Sequence, residues 1–144
     1  MSPEVIREKM TSLLEVLNDL KPHVSSSRRA QESNHYEIER LVQLSVDQSV
    51  AIGRRLLAIQ GAPVPTASRD VFIVLGQKKL VSKRIALNLV KAVGLRNLLV
   101  HEYGKIDYDL FLGGLPEGYR SLVAFIGAIQ KLQRIMSPKK FGAK

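Results

Sequence analysis

Arg96, Asn97 and His101 bring phosphate-binding and proton-transfer groups into a segment that is otherwise apolar. The run from 85 to 100 is rich in Leu, Val, Ile and Ala, which is typical of a buried or interface helix. Buried polar groups without partners destabilise a fold, so these three side chains need a reason to be there. An arginine fork binds phosphate and stabilises charge that develops at phosphorus, while a histidine can take up or release a proton near neutral pH. The set suits cleavage of a phosphodiester without a metal ion.

RNA is the natural substrate for this chemistry, because it carries its own nucleophile in the 2′-hydroxyl group. His101 could remove the proton of that hydroxyl or protonate the leaving 5′-oxygen. Arg96 could hold the phosphate, and Asn97 could orient either His101 or the phosphate. We therefore take Arg96, Asn97 and His101 as candidate catalytic residues.

Helical geometry separates these side chains. Asn97 and His101 are four residues apart and share a face, whereas Arg96 and Tyr103 are seven apart and share another if the helix extends that far. Arg96 and His101 are five apart, which is about 140° around the axis. They can contact one substrate from two sides or after the helix end loosens, or a second subunit can supply half of the site.

Each of these residues also has an ordinary structural interpretation. A histidine near a helix C-terminus is commonly a cap, and Tyr103 alone would suit a core or an interface. Asp47, in an uncharged stretch, is either a solvent-facing acid or a carboxylate directed at the central site. Glu102, beside His101, is a second candidate for a supporting acid.

Composition limits the remaining possibilities. The length of 144 residues fits one domain with a proper core. A net charge of +9 favours polyanionic partners, nucleic acid first, although it also suits a solvated basic surface. The absence of cysteine excludes disulfides and thiolate metal sites. His23 and His35 are distant from His101 in sequence, so we expect no metal site.

The distribution of apolar residues predicts neither a signal peptide nor a membrane span. No apolar run follows the charges at the N-terminus, and nowhere do 18 apolar residues run together. We therefore expect a cytoplasmic protein that does not bind a membrane.

Apolar spacing of three and four residues predicts an all-α protein, an antiparallel up-and-down bundle of four main helices and one short helix. Pro22 is expected to end the first helix, Ser68 or Thr66 to cap the short one, and Ser82 to cap the central one, which Gly104 ends. The parts of 22–33 and 105–118 that lie outside the predicted helices are predicted to be connecting segments. The predicted helices span 4–21, 32–60, 69–76, 82–102 and 116–136.

The domain prediction is a single domain over 1–136 followed by a basic, flexible tail over 137–144. Within the second helix, Ser45, Ser49 and Gly53 form a row of small residues that allows close approach of another helix, from the same chain or a second copy.

The string Gly94-Leu-Arg-Asn-Leu-Leu-Val-His-Glu-Tyr103, followed by Ile106-Asp107, resembles the signature of the HEPN superfamily. It is most similar to the HepT-type toxins, whose pattern is Arg-x₄-His-x-Tyr. The layout of the helices over roughly 32–135 is similar to that family as well.

The resemblance implies a helical bundle that forms a homodimer, with the two motifs facing a shared cleft, and a metal-independent ribonuclease that needs no cofactor. Arg96 and His101 match the catalytic pair, and Asn97 matches the polar residue that follows the arginine. Tyr103 matches the tyrosine to which a nucleotidyltransferase antitoxin, MntA, transfers AMP. RNA, a second copy and this antitoxin are therefore the expected partners.

Two alternatives remain open at the level of sequence. One is a non-catalytic HEPN module that binds a nucleotide or docks a nucleotidyltransferase through the same cleft. The other is a plain helical assembly protein in which the polar residues form an interface cluster.

Overall fold

The computed structural model describes residues 3–136, and four long helices form its framework. Three shorter α-helices and one 3₁₀ turn complete the described part. In chain order the elements are α1 (Pro3–Val24), α2 (Arg28–Ser33), α3 (His35–Ile59), α4 (Ser68–Gln77), α5 (Lys83–His101), the 3₁₀ turn (Tyr103–Lys105), α6 (Tyr108–Gly113) and α7 (Leu115–Met136). Residues 137–144, predicted to be a basic tail, lie outside the described residues.

The four long helices close into a ring around one core. Helix α1 packs on α3 and α7, while α5 packs on α3 and α7 and is covered by α4. Phe72 of α4 meets Phe125 of α7 edge to face, with ring centroids 5.8 Å apart. The predicted all-α bundle of four main helices is thereby confirmed, and α2 and α6 are additional short helices.

Two local predictions near the N-terminus were wrong. Pro22 lies inside α1, which continues to Val24, because Val24 packs against the core and favours the extra turn. The stretch that follows is not wholly irregular, since the Ser27 hydroxyl accepts a hydrogen bond from the Ala30 N–H and starts α2. Gln31 of α2 is buried and donates to the carbonyl of His23 at 2.8 Å, which ties α2 to the end of α1.

The caps of α4 and α5 differ from each other. Neither Thr66 nor Ser68 caps α4, whose N-cap position is occupied by Ala67. The preceding connection is held instead by Arg54 of α3, which donates to the carbonyl oxygens of Pro65 and Thr66. For α5 the prediction is confirmed, because the Ser82 hydroxyl accepts from the Ile85 N–H at 3.1 Å.

Helix α4 of the same chain packs against the row of small residues at Gly53. A Cβ atom on Gly53 would lie 2.7 Å from Val71 Cγ1 and 3.1 Å from Leu75 Cδ1, both on α4. Ser45 and Ser49 are buried, and their hydroxyls donate to carbonyls of α3 itself. The close approach at Gly53 is therefore intramolecular.

Helix α5 is covered on only one face. Ala86, Leu89 and Val93 are buried, whereas Leu87 and Val100 are 60% and 41% exposed. The sequence predicted that α5 is either a buried helix or an interface helix. In the single chain α5 is not fully buried. No helix within residues 3–136 has the length and apolar character that a membrane crossing requires.

The end of α5 departs from the prediction in a way that matters for the site. The helix ends at His101, and Glu102 has an extended φ of −138°. Gly104 lies inside the 3₁₀ turn and does not itself end the helix. Asp107 then caps α6 by accepting from the N–H groups of Asp109 and Leu110, so the predicted loop contains a helix.

Candidate functional site

Arg96 of α5 is held by a carboxylate from α3. Its Nε donates to Asp47 Oδ1 at 2.7 Å, with the side chains 26% and 40% exposed. Of the two interpretations of Asp47, the structure favours the carboxylate directed at the central site. Because Nε is taken by Asp47, the two terminal nitrogens of the guanidinium remain for other acceptors.

Asn97 lies beside Arg96 and makes no hydrogen bond to His101 in the described residues. Its Oδ1 accepts from Arg96 Nη1 at 3.3 Å, and the side chain is exposed. Asn97 was predicted to orient His101 or the phosphate, and in the structure its side chain is hydrogen bonded to Arg96, the predicted phosphate-binding residue.

His101 is the last residue of α5, and its side chain is exposed. Its ring makes no hydrogen bond to any residue of the described part 3–136. Since α5 stays α-helical through both positions, Arg96 and His101 keep their angular separation of about 140°. Both side chains therefore lie on open surface of one helix but face different directions.

Tyr103 has left the helix, so it does not share a face with Arg96. It begins the 3₁₀ turn and is 42% exposed. Its hydroxyl lies 2.7 Å from the Tyr108 hydroxyl and 3.3 Å from Glu39 Oε2. Because the Tyr108 proton is donated to Glu39, the single proton of Tyr103 is directed at Tyr108 in the shorter of these two contacts. The phenol is accessible from outside while its oxygen is held by the protein.

The residues that hold Tyr103 form a cluster that the sequence did not reveal. Glu39 Oε2 accepts from the Tyr108 hydroxyl at 2.5 Å and pairs with His35 Nδ1 at 2.8 Å. Tyr108 packs edge to face on the His35 ring. The spacing of His35 and Glu39 is a visible signal for a helical pair, but their contact with Tyr103, 64 residues after Glu39, is not.

This cluster keeps both phenols protonated. Burial raises the pKa of Tyr108 far above its usual value of 10, with further contributions from its hydrogen bonds to Glu39 and Tyr103. For Tyr103 the hydrogen bond with Tyr108 lowers the pKa, but burial of the hydroxyl and the Glu39 carboxylate outweigh it, so the net pKa is raised. Neither oxygen is therefore an anion at neutral pH.

Glu102 is not directed at Arg96 or His101. Its carboxylate accepts from Lys105 Nζ at 2.9 Å, and both side chains are at least half exposed. Glu102 follows the last residue of α5, and its backbone (φ −138°, ψ 49°) is no longer helical. In the single chain Glu102 belongs to a surface ion pair of the 3₁₀ turn.

Most of the chain matches one known family. Residues 7–129 match the family described as "Ribonuclease HepT-like". The chain belongs to the HepT-like ribonuclease family. The predicted HepT-type family and the predicted ribonuclease class are thereby confirmed.

Two curated HepT proteins are similar in sequence. The mRNA nuclease HepT of Shewanella oneidensis is 30% identical over 100 residues, which are 69% of this chain and 72% of that protein. The tRNA nuclease HepT of Aphanizomenon flos-aquae is 33% identical over 69 residues, 48% of this chain and 47% of that protein.

Two solved structures share the fold. A tri-AMPylated Shewanella oneidensis HEPN toxin in complex with MNT antitoxin matches with a TM-score of 0.82 at 22% identity, over 91% of this chain and 99% of that chain. The cytosolic protein of unknown function YutE from Bacillus subtilis matches with a TM-score of 0.76 at 20% identity, over 91% and 92%.

Proposed function

We propose that this HepT-like ribonuclease is the toxin of a toxin–antitoxin pair and cleaves RNA at Arg96 and His101 without a metal ion. The observation that carries the proposal is the setting of Arg96. Its guanidinium is fixed by Asp47 and Asn97 at the surface, and an exposed histidine ends the same helix.

In this reaction the 2′-oxygen of the RNA forms a bond to the adjacent phosphorus, and the bond from phosphorus to the 5′-oxygen breaks. The products are a 2′,3′-cyclic phosphate and a 5′-hydroxyl. Arg96 binds the non-bridging oxygens through its terminal nitrogens and stabilises the added charge. His101 moves a proton between the 2′-hydroxyl or the 5′-oxygen and solvent.

A homodimer would complete the site. Arg96 and His101 point in different directions on α5, so two copies of α5 placed face to face would bring each arginine near the other copy's histidine. The exposed apolar side chains of Leu87 and Val100 on this helix support such a contact. The net charge of +9 supports attraction of RNA to the resulting cleft.

Tyr103 is the proposed site of control. We propose that a nucleotidyltransferase antitoxin of the MntA type transfers AMP to its hydroxyl. The phenol is exposed and lies two residues beyond His101, so an added nucleotide would bring bulk and negative charge to the RNA-binding surface. A cytoplasmic location follows from this proposal, because RNA and the nucleotide donor are both there.

The test is cleavage of total RNA in the presence of EDTA. We expect cleavage by the wild-type protein and at least a ~100-fold lower rate for Arg96→Ala and His101→Ala. Arg84→Ala is the matched control, since it removes the same charge from the other end of α5. Equal rates for all variants would contradict the assignment. An inactive wild-type protein without AMP on Tyr103 would favour the non-catalytic binding module.

A further inference from the structure

Glu39 is a buried carboxylate behind an exposed tyrosine. The residue is only 7% exposed, whereas Tyr103 in front of it is 42% exposed. Burying a carboxylate costs free energy unless hydrogen bonds compensate, and here the Tyr108 hydroxyl donates to Glu39 while it accepts from Tyr103. The fold therefore maintains a proton acceptor at the back of the one phenol that we propose as a nucleophile.

A phenol in this setting needs a base. The Tyr103 hydroxyl is protonated at neutral pH, and a neutral phenol attacks phosphorus poorly unless its proton is removed as the new bond forms. Glu39 Oε2 lies 3.3 Å from the Tyr103 hydroxyl directly. A shorter route runs through Tyr108, 2.7 Å from Tyr103 and 2.5 Å from Glu39.

We propose that Glu39 is the general base for nucleotidyl transfer to Tyr103 and that Tyr108 relays the proton; this rests on the proposed role of Tyr103 as AMP acceptor. The Tyr103 oxygen forms a bond to the α-phosphorus of ATP, and the bond from that phosphorus to the bridging oxygen breaks, releasing pyrophosphate. The Tyr103 proton passes to Tyr108 while the Tyr108 proton passes to Glu39.

His35 is the positioning residue of this arrangement. Its Nδ1 is 2.8 Å from the same Glu39 oxygen, and its ring packs edge to face on Tyr108. One side chain thus fixes both the base and the relay. The acceptor chain accordingly supplies its own proton acceptor, and the nucleotidyltransferase has to supply only the activated nucleotide.

The test follows the first AMP addition by intact mass. The full-length protein is incubated with the MntA-type nucleotidyltransferase from the same source and Mg²⁺–ATP. We expect Glu39→Gln, which keeps the shape but cannot accept a proton, to lower the initial rate about 100-fold. Tyr108→Phe is expected to lower it comparably, while Glu39→Asp recovers part of the rate. Glu37→Gln is the matched control, because Glu37 lies on the same helix, pairs with His23 and is exposed.

A pH profile separates a base from a structural role. Within the described residues, the titratable side chains that contact Glu39 are His35, Tyr103 and Tyr108. The wild-type pH–rate profile should show an acid limb that is absent from the Glu39→Gln profile, in which the rate should rise steadily with hydroxide concentration. Thermal melting of each variant controls for folding.

The outcomes separate this inference from the proposed function. Modified wild-type protein together with a Glu39→Gln rate within about twofold of it would overturn the role of Glu39 and leave Tyr103 as the acceptor. A normal rate for Tyr108→Phe would overturn the relay. Wild-type protein that never gains AMP on Tyr103 would overturn both proposals.

Discussion

At the scale of single residues, the orientation of Arg96 depends on Asp47. An arginine bound through Nε keeps its two terminal nitrogens in a fixed plane, which suits bidentate binding of a phosphate. Small losses of orientation at a reacting group can cost one to two orders of magnitude in rate.

Asp47→Asn keeps the size of the side chain and removes its charge. We expect the rate of RNA cleavage to fall about tenfold, mainly in kcat, because Arg96 loses its fixed position. The free energy of unfolding should change by less than about 1 kcal/mol, since the pair is partly exposed. Steady-state cleavage kinetics and chemical denaturation measure the two effects. Asp70→Asn, an exposed acid of α4, is the control, and an undiminished kcat for Asp47→Asn would refute the positioning role.

Tyr108 gives the protein a specific sensitivity to alkali. Its pKa is raised by burial and by Glu39, so the neutral phenol contributes stability that is fully present below the unfolded value of 10. That contribution is lost as the pH rises above 10, because the unfolded chain then loses its proton first. We expect the unfolding free energy of Tyr108→Phe to decline less steeply than that of the wild type between pH 10 and 11, measured by urea denaturation. Parallel declines would argue against the raised pKa.

At the scale of elements, two serines before helices allow a matched comparison. Ser82 caps α5 through a hydrogen bond, whereas Ser68 at the start of α4 makes no capping bond. Ser82→Ala should therefore lower the free energy of unfolding by about 1 kcal/mol, and Ser68→Ala should leave it nearly unchanged. Thermal melting followed by circular dichroism checks both, and equal losses would show that the cap has no specific role.

The helices were predictable where apolar spacing is long and regular, as in α3 and α7. The short helix α4 was also predicted, whereas the six-residue helices α2 and α6 were missed because their main signal is a single capping side chain. Asp107, for example, caps helix α6 in a stretch that was predicted to be a loop. The sequence did not decide whether Asp47 faces solvent or pairs with Arg96, since nothing local fixes the direction of its side chain. The contact of Glu39 with Tyr103 could not be predicted from the sequence, because it depends on how α5 ends and on how the following turn packs against α3.

At the scale of the whole molecule, the proposed dimer makes a quantitative prediction. If each site takes Arg96 from one copy and His101 from the other, a mixed dimer of Arg96→Ala and His101→Ala chains contains one intact site. Random pairing makes half of the dimers mixed, so co-expression should restore about a quarter of wild-type cleavage activity. The rate of RNA cleavage by the co-purified chains measures this.

The control for complementation is each variant expressed alone, and a second control adds Leu87→Asp to both chains. Leu87 is 60% exposed in the single chain, so this change should spare the fold but disrupt pairing of α5 with its copy. Restored activity that survives Leu87→Asp, or no restoration at all, would contradict a site shared between subunits.

Helix α3 carries both Glu39 and Asp47, one facing the tyrosine and the other facing the arginine. The two carboxylates are eight residues apart, about 12 Å along the axis. Deleting or inserting one residue between them would rotate one by about 100° relative to the other and separate it from its partner. Substitutions at the solvent-facing positions of this stretch are therefore compatible with both contacts, whereas a change in its length is not.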